Sequence, residues 1–397
     1  MTQRSTFSQQ WLCRTVISFV AFFIVQTAHA QLTGVKNIPG NYPTLAAAIT
    51  DLNAQGVGAG GVVLNLLSGN PQTTPVGGYV ITAQGTAATP IILAGNGNII
   101  TAATGLSPGS CADGIFKIVG GDYITLTQFV MQENAANNVF SPANSNTMTE
   151  WGVALLHSST TNGAQFNTII SNTISLDINY QNAVGVYSNS RHFSTSPGTV
   201  SEIVNNTTAP NSNNHILQNN ISNVNVGVIF CGSVVPANMN QLNEIDGNTI
   251  TNYGGQPHGT GFVGITSAQV FGIYVINECF HTISDNTLIA APFNTGYGVR
   301  CIMTDFSAVP SGSVTNTITR NTVTFSQAGT ASVAAIHTNS SVTIGSLTLN
   351  VTDNLVTNCD MISNGSLSGI TNSAAAGTVN ITGNTFRNNI ITGTGGF

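Results

Sequence analysis

One unit, an apolar residue, two further residues, Asn, a small or polar residue and another apolar one, recurs seven times after residue 168. It reads Ile169..Asn172-Thr173-Ile174, Ile216..Asn219-Asn220-Ile221, Ile245..Asn248-Thr249-Ile250 and Ile283..Asn286-Thr287-Leu288, then Ile318..Asn321-Thr322-Val323, Val351..Asn354-Leu355-Val356 and Ile381..Asn384-Thr385-Phe386. The Asn residues are 47, 29, 38, 35, 33 and 30 positions apart, so a fixed core is joined by segments of variable length. Such a chain stacks repeats into a solenoid and puts its insertions in loops.

Thr, Val, Ile, Asn and Gly dominate each repeat, and apolar and polar residues alternate locally, which is the period of a strand. A second marker opens a short apolar run between the Asn units: Gly152-Val153, Gly185-Val186, Gly227-Val228, Gly272-Ile273, Gly298-Val299, Ala335-Ile336 and Gly369-Ile370. In the coil around it, Gly264-Ile265 competes with Gly272-Ile273 as the strand start. About three strands per repeat follow, and the fold class is all-β, a three-sheet parallel solenoid. Stacked coils place like residues about 4.8 Å apart. Asn tolerates the left-handed backbone of a sharp turn, and its amide donates and accepts along a column of its own kind. Asn172, Asn219, Asn248, Asn286, Asn321, Asn354 and Asn384 are therefore read as a structural turn ladder.

The string GIYVINECFHTISDNTLI, from Gly272, resembles the repeat of right-handed parallel β-helix proteins, the pectin-lyase-like fold, of secreted bacterial surface type. The resemblance covers about residues 120 to 397, and more weakly the segment from 60. It implies an architecture and no single activity, because the fold carries lyases, hydrolases, adhesins and phage tail proteins.

The ends read differently. In residues 1–30, Arg4 and Arg14 precede the apolar run Val16–Val25, and Ala28-His29-Ala30 precedes Gln31, the form of a cleaved export signal. That run is shorter than the roughly 20 residues a membrane-spanning helix needs. A secreted, extracellular or cell-surface protein without a transmembrane segment is expected. In residues 31–60 the apolar Leu45, Ala48, Ile49 and Leu52 have helical spacing, and Pro43 suits a first turn, so an amphipathic helix over 43–53 is expected to cap the first coil. The β-helix is assigned to 61–397. The sequence reaches Phe397 where the next Gly-led strand would begin, so either a partner is expected to cover that edge or the chain is a fragment; relatives of this type often add coils or a C-terminal sorting domain.

The 8 basic and 14 acidic residues give −6; removing Arg4 and Arg14 leaves 6 − 14 = −8, which disfavours nucleic acid as a partner. Five cysteines follow the export signal, Cys111, Cys231, Cys279, Cys301 and Cys359, with no zinc-like spacing. Cys301 is read as an inward, small apolar residue, and a bridge among Cys231, Cys279 and Cys301 stays open. No metal site is expected. The string Gly56-x-Gly58-x-x-Gly61 matches a dinucleotide fingerprint in letters, but it follows a helix and precedes a strand, the reverse of what phosphate binding uses.

In β-helix proteins of the type this chain resembles, substrates lie along the outside of the Gly-led strand. Alternation sends the residue after Gly inward and the next outward, giving the column Ala154, Tyr187, Ile229, Tyr274, Arg300, His337 and Thr371. Tyr187, Tyr274, Arg300 and His337 are the candidate ligand-binding residues: aromatic faces stack on sugar rings and Arg holds carboxylate or sulfate. The insertions 191–214 and 251–271 are placed to wall such a groove. Three functions are compatible: a binding or adhesion protein facing polysaccharide or cell-envelope ligands, a polysaccharide lyase or glycoside hydrolase, and a structural spacer of a larger surface protein. Catalysis would fall to Arg300 with Glu278 and Asp305, and calcium would enter only for a lyase. The Asn-Thr-Asp, Asp-Asp, Gly-His-Gly and Arg-Ile-Lys elements of polygalacturonases are missing, the nearest string being Pro257-His258-Gly259-Thr260-Gly261.

Overall fold

The computed structural model describes residues 31–397 except 108–111, 140–146, 194–208, 255–268, 293–297, 329–331, 363 and 393–397. Three long parallel sheets of eleven, nine and ten strands dominate it. The first runs from Leu32–Ile38 to Ala376–Thr382, the second from Tyr79–Ile81 to Leu367–Ser373, and the third from Gln72–Thr73 to Thr385–Arg387. Each strand pairs with its counterpart one coil away, as Ile169 with Ile216 and Ile174 with Ile221. This is a parallel β-helix, with the right-handed winding that parallel crossovers take.

The repeat's letters now have places. The Ile before each Asn and the apolar residue after it, such as Ile245 and Ile250, are buried from the first and third sheets, and Val228 or Ile273 closes the core from the second. Each such side chain stabilises the coil by about 1.5–3 kcal/mol. The Gly-led marker has a steric cause. A Cβ on Gly185 would lie 2.4 Å from Ile221 Cγ2 and 2.6 Å from the Gly227 carbonyl oxygen, and Gly152 and Gly227 are equally confined.

The Asn ladder is continuous. Oδ1 of Asn219 accepts both the backbone N–H (3.0 Å) and the side-chain amide (3.1 Å) of Asn172, and the same pair of bonds repeats through Asn248, Asn286, Asn321, Asn354 and Asn384. Each Asn also donates to a carbonyl of the preceding coil, for instance Asn248 to Ile216. The left-handed turn conformation falls one residue earlier than expected, on Ser171, Gln218, Gly247, Asp285, Arg320, Asp353 and Gly383. The Asn is selected for its amide rather than for its backbone.

At the N-terminal end, helix α1 (Leu45–Gln55) buries Leu45, Ala48, Ile49 and Leu52 in the same core as Leu32 and Ile38. Thr44 is its N-cap and accepts from Ala47 N–H at 3.2 Å, so Pro43 lies just outside the helix rather than in its first turn. The first sheet already begins inside the 31–60 segment, because Leu32–Ile38 pairs with Val57–Leu66.

Candidate functional site on the outer face of the second sheet

Cross-strand register fixes the outward column as Ala154, Tyr187, Ile229, Tyr274, Met303, His337 and Thr371. Arg300 is not in it. Gly298 opens its strand, Gly298–Asp305, three residues ahead of the register position held by Gly272 in the coil before, so Arg300 aligns with Phe271 and Ala334, and Met303 stands between Tyr274 and His337. Cys301 takes the place of Gly272, with its carbonyl oxygen 2.7 Å from where a Gly272 Cβ would be. It is buried and points inward, as expected. Gly272, not Gly264, is the aligned glycine of its coil; Gly264 lies outside the described residues.

Exposure divides this column. Tyr187 (1% exposed) and Tyr274 (2%) belong to a second apolar layer with Trp151, Val184, Ile229 and Phe271. The Trp151 and Tyr187 rings stack at 4.9 Å, and Phe271 and Tyr274 lie 4.8 Å apart. The expected open platform of tyrosines is therefore a packed layer, and neither ring presents a face to solvent. Most of the insertions 191–214 and 251–271, and the string at Pro257–Gly261, lie outside the described residues.

The later coils are different. Arg300, His337 and Thr371 are partly exposed. Arg300 Nε donates to His337 Nδ1 at 2.9 Å, and its Nη1 donates to the carbonyls of Val299 (2.9 Å) and Ser332 (3.3 Å). Since an arginine N–H only donates, Nδ1 accepts and the His337 proton sits on Nε2, 3.4 Å from Ser373 Oγ. Burial, and after it the Arg300 charge, pull His337 down to about 4. The imidazole is thus neutral at neutral pH and serves as a brace for the guanidinium. Among the described residues the ion pairs are His215–Glu244 and Arg320–Asp285, so no carboxylate there is within ion-pair distance of Arg300. Asp305 lies on the same strand, held by Asn339 Nδ2 at 3.0 Å, with its carboxyl raised by burial.

Glu278 is not on this face. It is fully buried, and its two carboxyl oxygens accept from the side-chain amides of Asn240 and Asn243, each at 2.6 Å. Those asparagines continue a second ladder: Asn211 donates its backbone N–H to Asn240 (2.8 Å), and Asn214 its own to Asn243 (2.8 Å). Glu278 pairs with Asn240 across the strands and occupies the next rung, so its carboxyl is a turn element. Burial raises it to about 8, against the opposing hydrogen bonds of the two amides. The sequence carries this signal as a second spacing, Asn211-x-x-Asn214, Asn240-x-x-Asn243 and Glu278-x-x-His281.

Lys117, outside any motif of the sequence, precedes Ala154 in the outward column. It is buried against Asp113 and Glu150; burial lowers the lysine and raises both acids. Glu150 accepts from Tyr180 Oη and from the Asp113 N–H, both at 2.8 Å, which makes this group a closed buried network. Cys231 is buried, and Cys279, Cys301 and Cys359 are buried free thiols, so no bridge joins Cys279 or Cys301 to another of the first three; Cys111 lies outside the described residues.

No protein-family model and no curated protein matches the chain. Among solved structures, a double mutant of the periplasmic alginate epimerase AlgG is similar at 12% identity, over 90% of this chain and 84% of that one, with a TM-score of 0.30. A likeness of that size carries no argument about activity, and the functional reading rests on the site itself. No helix among the described residues is long and apolar enough to cross a membrane.

Proposed function

We propose that this is an exported polysaccharide-binding protein which holds an acidic glycan at Arg300, on the outer face of its last coils. The observation that carries the reading is a guanidinium fixed by two carbonyls and a neutral imidazole, partly exposed, with no described carboxylate to neutralise it. Uronate carboxylates and sulfates are the anions a glycan offers to such a fork. His337 Nε2–H and the Ser373 hydroxyl beside it are suited to sugar oxygens. With Tyr187 and Tyr274 buried, recognition proceeds by charge and hydrogen bonding rather than by ring stacking.

Binding is favoured over cleavage for a chemical reason. Hydrolysis uses two carboxyl groups converging on one bond, and with Glu278 inside the helix only Asp305 of the candidate acids remains on this face. His337 has its Nδ1 occupied by Arg300 and so lacks an open basic nitrogen. Calcium has no part in the binding reading. The test is an array of acidic and neutral glycans, with soluble product assayed from each glycan retained. Retention on uronate or sulfate glycans without new reducing or unsaturated ends is expected. Release of such ends would replace this reading with a lyase or hydrolase.

A further inference from the structure

The third sheet shows solvent a surface unlike the other two. Its inward residues, Ile174, Ile221, Ile250, Leu288 and Val323, are buried, which turns the residues on either side of each outward. One outward column is Thr173, Asn220, Thr249, Thr287 and Thr322. The other is Ser175, Ser222, Thr251, Ile289 and Thr324. All ten are partly or fully exposed and none is charged. On the first sheet the matching positions carry His215, Glu244 and Asp246, and on the second the outward residues are largely buried.

The spacing of this face is set by the fold: about 4.8 Å from coil to coil and about 6.6 Å between the two columns along a strand. Over five coils the paired positions of both columns stay in register and make a regular grid of hydroxyl and methyl groups, interrupted by the Asn220 amide. Among the described residues, no protein hydrogen bond engages the side chains of Thr173, Thr249, Thr251, Thr287 or Thr322, which leaves their hydroxyls to solvent.

We propose that this face binds ice. A crystal of water is recognised by a surface that holds water at lattice-like intervals over many repeats, and three features here meet that need. The hydroxyls repeat at intervals comparable with the oxygen spacings of ice. The Thr methyls cage the waters between them. The lack of charge spares those waters the tight, radially oriented shells of ions. A crystalline glycan is the poorer occupant, because flat sugar surfaces are met by aromatic rings, and neither column contains one. Thr is common in strands for its β-propensity alone, yet that preference does not explain why charged residues, present on the outer faces of the first and second sheets, are absent from these five coils of the third.

The experiment is ice recrystallisation and ice-crystal shaping by the purified full protein, alongside Thr251→Tyr at the centre of the grid, Ser222→Lys beside it, and Thr168→Tyr on the first sheet as control. All three sites are at the surface, and circular dichroism confirms that each variant is folded. The expected result is faceted ice and blocked recrystallisation for the wild type and Thr168→Tyr, with at least an order of magnitude more protein needed for Thr251→Tyr or Ser222→Lys. Should Thr251→Tyr fail to fold, Ser222→Lys decides alone. Smooth, unshaped crystals with the wild type, or full activity in a folded Ser222→Lys, overturn the proposal. Retention on crystalline cellulose without any effect on ice also overturns it, in favour of a glycan solid.

Discussion

The outer face of the second sheet changes character along its length. From Trp151 through Tyr187 and Ile229 to Tyr274 it is a dry apolar layer; from His337 to Thr371 it is polar and partly open, with Arg300 beside it. Both halves have the same strand period and the same outward direction. Alternation along a strand therefore tells which way a side chain points and says nothing of what lies over it. Only the second half can meet a ligand directly.

The sharpest way to break this contrast is to truncate one residue in each half. Tyr274→Ala removes a buried ring, and a loss of about 3–5 kcal/mol is expected in urea unfolding. Arg300→Ala is expected to cost about 1 kcal/mol or less, since its partners are two carbonyls and an imidazole that water can serve in its place. Equal losses would mean that the two halves are packed alike.

Between these in size stands the turn ladder, which runs beneath both halves. Asn248→Ala takes the acceptor from two Asn219 donors and leaves them buried, for an expected loss of about 2–4 kcal/mol by thermal or urea unfolding. A neutral result would show that water replaces the rung.

The rung made by Glu278 sharpens the comparison through pH. Its folded-state value of about 8 lies above the ordinary carboxyl value of 4.5, so between the two the folded state holds a proton that the unfolded chain has released. This contribution is complete below about 4.5 and disappears as pH rises to about 8. His281, pulled down to about 4 by burial, works the opposite way between about 4 and 6.5. From pH 6.5 to 8 the Glu278 slope is free of that opposition, and stability is expected to fall across this window. Glu278→Gln, which keeps an uncharged carbonyl for the amides, should flatten the slope in pH-dependent denaturation; an unchanged slope would assign it to another buried acid.

The smallest stability effect is expected from His337→Ala. Its consequence is for Arg300, which loses the acceptor that orients Nε. Weaker glycan retention with unchanged unfolding would identify His337 as a positioning residue, and His337→Asn, which offers another acceptor, should restore part of the affinity.

Much of this architecture was legible in the sequence, because the ladder and core residues recur and each recurrence has one physical cause. Asn172 to Asn384 all serve the same amide bonds, and the glycines before Val153, Val186 and Val228 all avoid an Ile of the third sheet. The site was less legible. Gly298 imitates the marker, yet the close-packed position tolerates Cys301, and a motif based on glycine cannot register that substitution. Glu278 stands out as an acid near the groove strand until its partners reveal a rung that a protonated carboxyl fills. The burial of Tyr187 and Tyr274 depends on packing between coils, which no repeat of letters records.

The most direct test of the account is a calorimetric titration of the protein, and of Arg300→Ala, with an oligouronate of several residues at low and high salt. Saturable binding that weakens with salt is expected for the wild type, and its loss is expected in Arg300→Ala, which unfolds like the wild type. Equal affinity for the wild type and Arg300→Ala, or equal affinity for a neutral oligosaccharide, would contradict it.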